Sequence, residues 1–316
     1  DGICFCARGQ RGKSTLSVLS MMKGFEYVSD DYFILHNDKN GNLLSSPIYS
    51  IITLSPEMYN RLYGYMAGSQ FVSNNARKDK YVFNISNFHP QFKRNYPIKI
   101  CMFPEIVTDK EPSIRLCTKE EKGRAITNLI QSTLMQTQDL YDHKTIKKMY
   151  NMVKNYPFYK FNLCHDIEKN TEFLRDFMNN LEKQPREILK DDRIFTDITF
   201  DIANLLDTET GTIYTMNKFA TNIYENMLRG VLPNVIAEEL KPFSDKNPSL
   251  ESELRIFAHT LADKGMYIPT LTIGTKPDIN LDFAEEDNYK LSMTEFLEDK
   301  YDELIKERKE NELCVK

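Results

Sequence analysis

A short loop near the start of the chain has the residue types and spacing that bind phosphate. Residues 7–15 read ARGQRGKST, which fits the Walker A pattern with alanine at the first glycine position. A glycine at position 12 lets the backbone pass close to phosphate oxygens. Lys13 would reach the terminal phosphates of a nucleotide, and the Ser14 hydroxyl would ligate Mg²⁺. The residues expected to contact the nucleotide are Gly9, Gln10, Arg11, Gly12, Lys13, Ser14 and Thr15.

The residues around this loop predict the surroundings that such a loop requires. Residues 2–7 form an apolar run typical of a buried strand, and residues 12–23 have a helical pattern. A loop between a strand and a helix points its backbone N–H groups at phosphate, and the helix adds its positive end. Residues 26–29 predict a second strand.

Two adjacent carboxylates, Asp30 and Asp31, follow the second predicted strand about fifteen residues after the loop. One carboxylate can hold Mg²⁺, while its neighbour accepts a proton from an attacking hydroxyl. Taken alone, the pair is equally typical of a solvated turn. When it follows a phosphate loop, the acidic pair predicts a site that binds metal and accepts a proton.

Composition and charge narrow the classes of function. Lys and Arg total 41 against 46 Asp and Glu, a net charge of -5, which argues against a nucleic-acid or membrane-surface binder. No apolar stretch approaches the roughly 20 residues of a membrane-spanning helix. The six cysteines and five histidines lack ligand spacing along the chain, so we expect reduced, mostly buried cysteines in a cytoplasmic protein. Any metal is expected to have oxygen ligands.

The motif residues resemble the HPr kinase family and its relatives that phosphorylate peptides, of the lasso-peptide precursor kinase type. The resemblance lies in the GKSTL run at residues 12–16, Gly24-Phe25 and the VSDD run at residues 28–31, and it extends loosely over residues 2–181. It implies an α/β P-loop kinase domain of the HPr kinase/PEP carboxykinase type that uses ATP and Mg²⁺. Lys13 and Ser14 would bind phosphate and metal. Asp30 would be the catalytic base and Asp31 would support the metal, although the two roles could be exchanged.

The chain departs from HPr kinase at Thr15, where that enzyme has an acidic residue that helps to hold metal. It also has no histidine upstream of the first strand, because it opens within that strand, and we expect an N-terminal part to precede it. Both departures favour the peptide-kinase branch. The family places a cationic residue opposite the acidic pair. The candidates are Arg77, Lys78 and Lys80, with Arg8 and Arg11 on the loop itself.

A second module follows a polar, proline-broken linker at residues 183–190. Three strand-like runs precede three helical patterns, and residues 209–211 predict a hairpin turn between the last two strands. The order resembles a PqqD-type domain, a winged-helix-like α+β module that recognises precursor peptides. Such a domain accepts a leader peptide as an added strand. The expected peptide-binding residues are Thr212, Ile213, Tyr214, Thr215 and Met216 on the edge strand and Leu254, Phe257 and Leu261 in a helical groove.

The sequence therefore predicts a kinase domain at residues 1–182, a recognition domain at 191–268 and an acidic, partly helical tail at 269–316. The expected activity is transfer of phosphate from ATP to a Ser or Thr hydroxyl of a ribosomally synthesised precursor peptide. Its partners would be that peptide, other peptide-modifying enzymes and a second copy of the chain, with no nucleic acid and no membrane. Two alternatives stay open: a kinase for a folded protein, and a non-catalytic adaptor gated by nucleotide. The tail could also mimic a leader and occupy the recognition groove.

Overall fold

A computed structural model describes residues 2–7, 9, 11–30, 33–48, 50–64, 70–75, 80–84, 95–136, 143–186, 192–240, 250–267 and 290–291. The chain divides into two compact units, Asp1–Asp191 and Asp192–Lys316. In the first unit the strands are β1 (Gly2–Phe5), β2 (Phe33–Asn37), β3 (Leu43–Pro47), β4 (Ile51–Leu54), β5 (Gln70–Asn75), β6 (Lys80–Asn84), β7 (Tyr96–Ile106), β8 (Ser113–Leu116) and β9 (Phe158–Leu163). Its helices are α1 (Lys13–Met22), α2 (Pro56–Leu62), α3 (Lys119–Gln136), α4 (His143–Val153) and α5 (Ile167–Asn179).

The long strand β7 organises the main sheet of the first unit. Among the described residues the sheet follows the order β2-β3-β7-β9-β8, and β1 also pairs with β7. Strands β1, β7 and β9 run parallel, whereas β2, β3 and β8 pair antiparallel with their neighbours. The carboxyl ends of the three parallel strands therefore meet at one edge of the sheet, which is where open α/β sheets bind ligands.

Helix α1 lies between the main sheet and a smaller antiparallel sheet of order β4-β6-β5. Leu16 packs with Met102 and Phe161 of the main sheet. Leu19 packs instead in a cluster with Ile52 of the small sheet. Because both sides of the helix bury apolar side chains, the position of α1 is fixed relative to both sheets.

The strand predicted at residues 26–29 is wrong, since this segment pairs with no strand among the described residues. The Tyr27 side chain is buried, and its hydroxyl donates a hydrogen bond to the carbonyl of Ile51, 3.0 Å away. The Phe25 amide donates back to Ser20 at the end of α1. These contacts hold the segment against α1 and β4. The helix predicted at 12–23 is confirmed, with slightly different bounds.

The second unit contains an antiparallel meander followed by three helices. The strands are β10 (Ile194–Thr199), β11 (Ile202–Asp207) and β12 (Thr212–Met216), and the helices are α6 (Lys218–Leu228), α7 (Pro233–Leu240) and α8 (Leu250–Asp263). The predicted hairpin turn is confirmed, and Gly211 has a φ of 77° within it. A short strand β13 (Lys290–Leu291) runs parallel to β12. In the part of the chain that the structure describes, no helix is both long and apolar enough to cross a membrane.

The described cysteines are buried, as predicted, but three of them lie together although their spacing along the chain gave no sign of it. Cys4, Cys6 and Cys101 have sulfur atoms that lie within 4.8 Å of one another, because β1 and β7 are neighbours in the sheet. Hydrogen bonds from Cys101 and Cys6 hold the pKa of the Cys4 thiol well below its usual value, despite burial. Sequence spacing could not show this cluster, since Cys101 lies 95 positions after Cys6.

The start of α6 offers a test of local stability. The Asn217 side chain accepts a hydrogen bond from the Ala220 amide at 2.8 Å, which caps the helix. We expect Asn217→Ala to lower the free energy of unfolding by about 1 kcal/mol, because it removes this acceptor. Chemical denaturation followed by far-UV circular dichroism measures the change.

The matched control is Asn217→Ser, which keeps an acceptor oxygen. It also removes an amide nitrogen that is buried without a partner among the described residues. We expect this variant to unfold within a few tenths of a kcal/mol of the parent. Equal losses in both variants would show that the cap does not stabilise the unit.

Candidate functional site

The phosphate-loop pattern lies between β1 and α1, at the sheet edge where the parallel strands end. Gly12 has a φ of 80°, and a Cβ atom there would lie only 3.0 Å from Cδ1 of Leu163. The backbone conformation therefore favours glycine, and any larger residue would also force the Leu163 side chain to shift. Within the described residues no side chain caps α1, and its first turn has no acidic residue.

Lys13 lies across the loop. Its Nζ donates a hydrogen bond to the carbonyl of Ala7, 2.7 Å away, at the point where β1 leads into the loop. This contact joins the first and the last part of the loop. It keeps the ammonium group at the loop instead of extended into solvent.

Asp30 lies against the hydroxyl of Ser14. Ser14 Oγ donates to Asp30 Oδ1 at 2.8 Å and lies 3.1 Å from Oδ2. Asp30 Oδ2 also accepts hydrogen bonds from the backbone amide and the hydroxyl of Thr53, both at 3.2 Å. Thr53 belongs to β4, so the small sheet holds the carboxylate at the start of α1. Sequence reasoning assigned no role to Thr53.

The oxygen atoms of Ser14 and Asp30 form a donor set that suits Mg²⁺. Magnesium prefers oxygen ligands and is usually bound by one or two protein groups together with substrate phosphates. A hydroxyl and a carboxylate in contact at the start of a helix meet that requirement. Three other predicted residues, Arg8, Gln10 and Asp31, lie outside the described residues, as do the candidate cations Arg77 and Lys78.

Arg11 belongs to a chain of alternating charges that sequence reasoning did not find. Its guanidinium lies 3.5 Å from Glu105, which Lys160 contacts at 2.7 Å. Lys160 also lies 3.1 Å from Glu121, which in turn pairs with Arg115 at 2.7 Å. The chain of charges runs from the phosphate loop to the start of α3. The sequence carried one signal for it, the charged Glu105 near the end of the apolar run of β7.

Two of these carboxyl groups are held ionised. The hydrogen bond from Lys160 holds the pKa of Glu105 below its usual value, against the effect of burial. Burial would raise the pKa of Glu121, but hydrogen bonds from Arg115, the Thr118 amide and Lys160 together lower it to about 2. The start of α3 therefore keeps a negative charge that anchors the whole chain of charges.

Two cavities border the phosphate loop. One of about 560 Å³ lies beside β1 and is lined by Lys13, Ser17, Asp30 and other residues. A smaller one of about 120 Å³ lies on another side and is lined by Gly12, Arg61 and further residues. Arg61 is exposed at the end of α2, so the structure brings a cation near the loop that the sequence did not suggest.

The predicted peptide-binding residues fall into two groups. On β12, Tyr214 and Thr215 are partly exposed, whereas Thr212, Ile213 and Met216 are buried. β13 pairs with the end of this strand, at Thr215 and Met216. On α8, Leu254, Phe257 and Leu261 are at most 2% exposed and pack in the core of the second unit. These three side chains do not line an open groove, because their helical spacing marks the face that folds against the sheet.

Comparison with known proteins assigns this chain to no family. No protein-family model matches the chain, and no curated protein is similar to it. One solved structure, TbiB1 in complex with the TbiA(beta) leader peptide, is similar to part of this chain at 23% identity. The similarity covers 26% of this chain and 96% of the TbiB1 chain. Its TM-score of 0.23 is too low to establish a shared fold.

The low pKa of Glu121 generates a prediction of pH dependence. Its folded value of about 2 lies below the usual 4.5, so its stabilisation is fully present above pH 4.5 and disappears as the pH falls towards 2. We expect Glu121→Gln to be less stable than the parent at pH 7, and the difference to shrink as the pH falls through this window. Thermal unfolding measured from pH 7 to pH 2.5 tests this expectation.

The control is Glu120→Gln, which removes the neighbouring exposed carboxylate. We expect it to unfold as the parent does across the range. A stability difference for Glu121→Gln that stayed constant with pH would mean that packing, and not charge, accounts for the loss.

Proposed function

We propose that this protein binds ATP with Mg²⁺ and transfers the γ-phosphoryl group to a hydroxyl. The contact between the Ser14 hydroxyl and the Asp30 carboxylate supports this most directly. Residues 16 apart in sequence are brought together at the start of a helix that follows a glycine-containing loop. A solvated acidic turn would not need this contact, whereas metal and phosphate chemistry does.

The described residues of the site have distinct roles in the proposed reaction. The Gly12 backbone and the first amides of α1 would hold phosphate oxygens, and Lys13 would move from Ala7 to the terminal phosphates. Ser14 and Asp30 would hold Mg²⁺, which neutralises charge on the phosphates when bound. Thr53 keeps Asp30 in place through two hydrogen bonds.

The contacts of Asp30 favour exchanging the two roles first expected, so that Asp30 binds the metal and Asp31 accepts the proton. A general base needs a carboxylate oxygen free to reach the substrate hydroxyl. Both oxygens of Asp30 already lie near Ser14, and one also accepts from Thr53. We therefore assign Asp30 to the metal and Asp31 to the acceptor proton.

The acceptor that we propose is a Ser or Thr hydroxyl of a ribosomally synthesised precursor peptide. The second unit would hold the leader of that peptide on the edge of β12. This edge pairs with β13, which supports its capacity to take an added strand. Binding a remote leader would raise the effective concentration of the hydroxyl near the phosphate loop.

Asp30→Asn tests the transfer chemistry. We expect phosphate transfer to fall about 100-fold or more, because the amide is a weaker metal ligand and carries no charge. Binding of ATP without Mg²⁺ should change little, since Lys13 and the loop amides stay in place. Mass spectrometry of a precursor peptide encoded beside this gene, incubated with ATP and Mg²⁺, measures transfer and locates the acceptor.

Asp176→Asn, an exposed residue of α5, is the matched control and should transfer phosphate as the parent does. Equal transfer by Asp30→Asn and the parent would contradict the proposal. ATP binding with no transfer to any peptide would favour the nucleotide-gated adaptor. Transfer to a folded carrier protein, but not to a peptide, would favour the folded-protein kinase.

β13 gives a test of the recognition edge. Because Lys290–Leu291 pairs with Thr215 and Met216, the tail would compete with a leader for the same edge. We expect deletion of residues 268–316 to strengthen leader binding, measured by fluorescence anisotropy of a labelled leader. Deletion of residues 292–316 alone keeps β13 and should leave the affinity close to that of the full chain. Equal affinities in all three proteins would show that β13 does not compete.

A further inference from the structure

Three thiols meet between the first two parallel strands of the main sheet. Cys4 pairs directly with Cys101 across β1 and β7. Cys6 lies two residues beyond Cys4, and its amide continues the ladder by donating to Met102 at 2.8 Å. Because side chains two apart in a strand project to the same face, Cys4 and Cys6 lie on one face beside Cys101. All three are at most 3% exposed.

The sulfur positions match those of a metal–thiolate site. Cys4 Sγ and Cys6 Sγ lie 3.8 Å apart, and all three sulfurs lie within 4.8 Å of one another. A metal with bonds of about 2.3 Å to tetrahedrally arranged sulfurs places those sulfurs roughly 3.8 Å apart. One pair already has that separation, and a sulfur shift of at most about 1 Å would bring the third to the same distance.

The ligand type decides which metal suits the cluster. Thiolates are soft ligands that select Zn²⁺, Cu⁺ and related ions over Mg²⁺ or Ca²⁺. The described cysteines are free thiols, so the sulfurs are available to coordinate. Each coordinating thiol would release its proton to solvent, and three thiolates around a divalent ion leave one net negative charge.

We propose that Cys4, Cys6 and Cys101 bind one soft metal ion, of which Zn²⁺ is the physiological type and Cd²⁺ the spectroscopic probe. The site would link β1 to β7 one residue before Ala7, whose carbonyl accepts the Lys13 hydrogen bond. Its occupancy would stabilise the strand pairing from which the phosphate loop begins. The proposal does not depend on phosphate transfer, because it concerns other ligands and a different class of metal.

Cadmium titration of the full chain tests the site. The protein is reduced, freed of reductant under nitrogen and titrated with Cd²⁺ alone, while the ultraviolet thiolate-to-cadmium charge-transfer band is recorded as a difference spectrum. We expect the band to saturate at one Cd²⁺ per chain and the midpoint of thermal unfolding to rise. The same titration is repeated on protein refolded with Cd²⁺, because the buried site can fill slowly.

Two cluster variants and one control make the result specific. Cys101→Ser and Cys6→Ser should each lose the saturable band and the thermal shift, with folding verified by circular dichroism. Cys164→Ser removes another buried free cysteine, outside the cluster, and should keep both. The proposal is overturned by a parent with no band in either titration, or by a band that Cys164→Ser loses while the folded cluster variants keep it.

Discussion

The parallel pairing of β1 with β7 is the constraint on which the first unit depends. It places the loop after β1 at the same sheet edge as Glu105, near the end of β7. The adjacent pairing of β7 with β9 brings Lys160 to that edge as well. Without this register, Arg11 would lose its contact with Glu105, and the chain of charges to α3 would be broken. The environment of the loop is thus set by backbone hydrogen bonds made before any ligand arrives.

The two described cations of the loop have different neighbours. Arg11 lies beside the Glu105 carboxylate, so part of its charge is already compensated within the protein. Lys13 donates to the Ala7 carbonyl, an acceptor at the start of the same loop. A phosphate bound as we propose would therefore have to share the Arg11 guanidinium with Glu105.

Local signals allowed much of this arrangement to be predicted. The loop spacing indicated the start of α1, and residues 209–211 indicated the hairpin turn of the second unit. Non-local effects could not be predicted in this way. The segment at 26–29 has the composition of a strand, but Tyr27 is drawn into the packing of α1 and β4. The contact of Thr53 with Asp30 likewise depends on where β4 packs, which the sequence does not specify.

The limited overlap of β13 with β12 has a kinetic consequence. β13 covers the edge only at Thr215 and Met216, and within the described residues no strand pairs with that edge at Thr212–Tyr214. A strand arriving from outside can therefore begin pairing on this open stretch and then displace Lys290–Leu291 stepwise. During such a stepwise displacement, backbone hydrogen bonds to the incoming strand form as those to β13 break. The arrival of a new strand is then not limited by how quickly the old one leaves by itself.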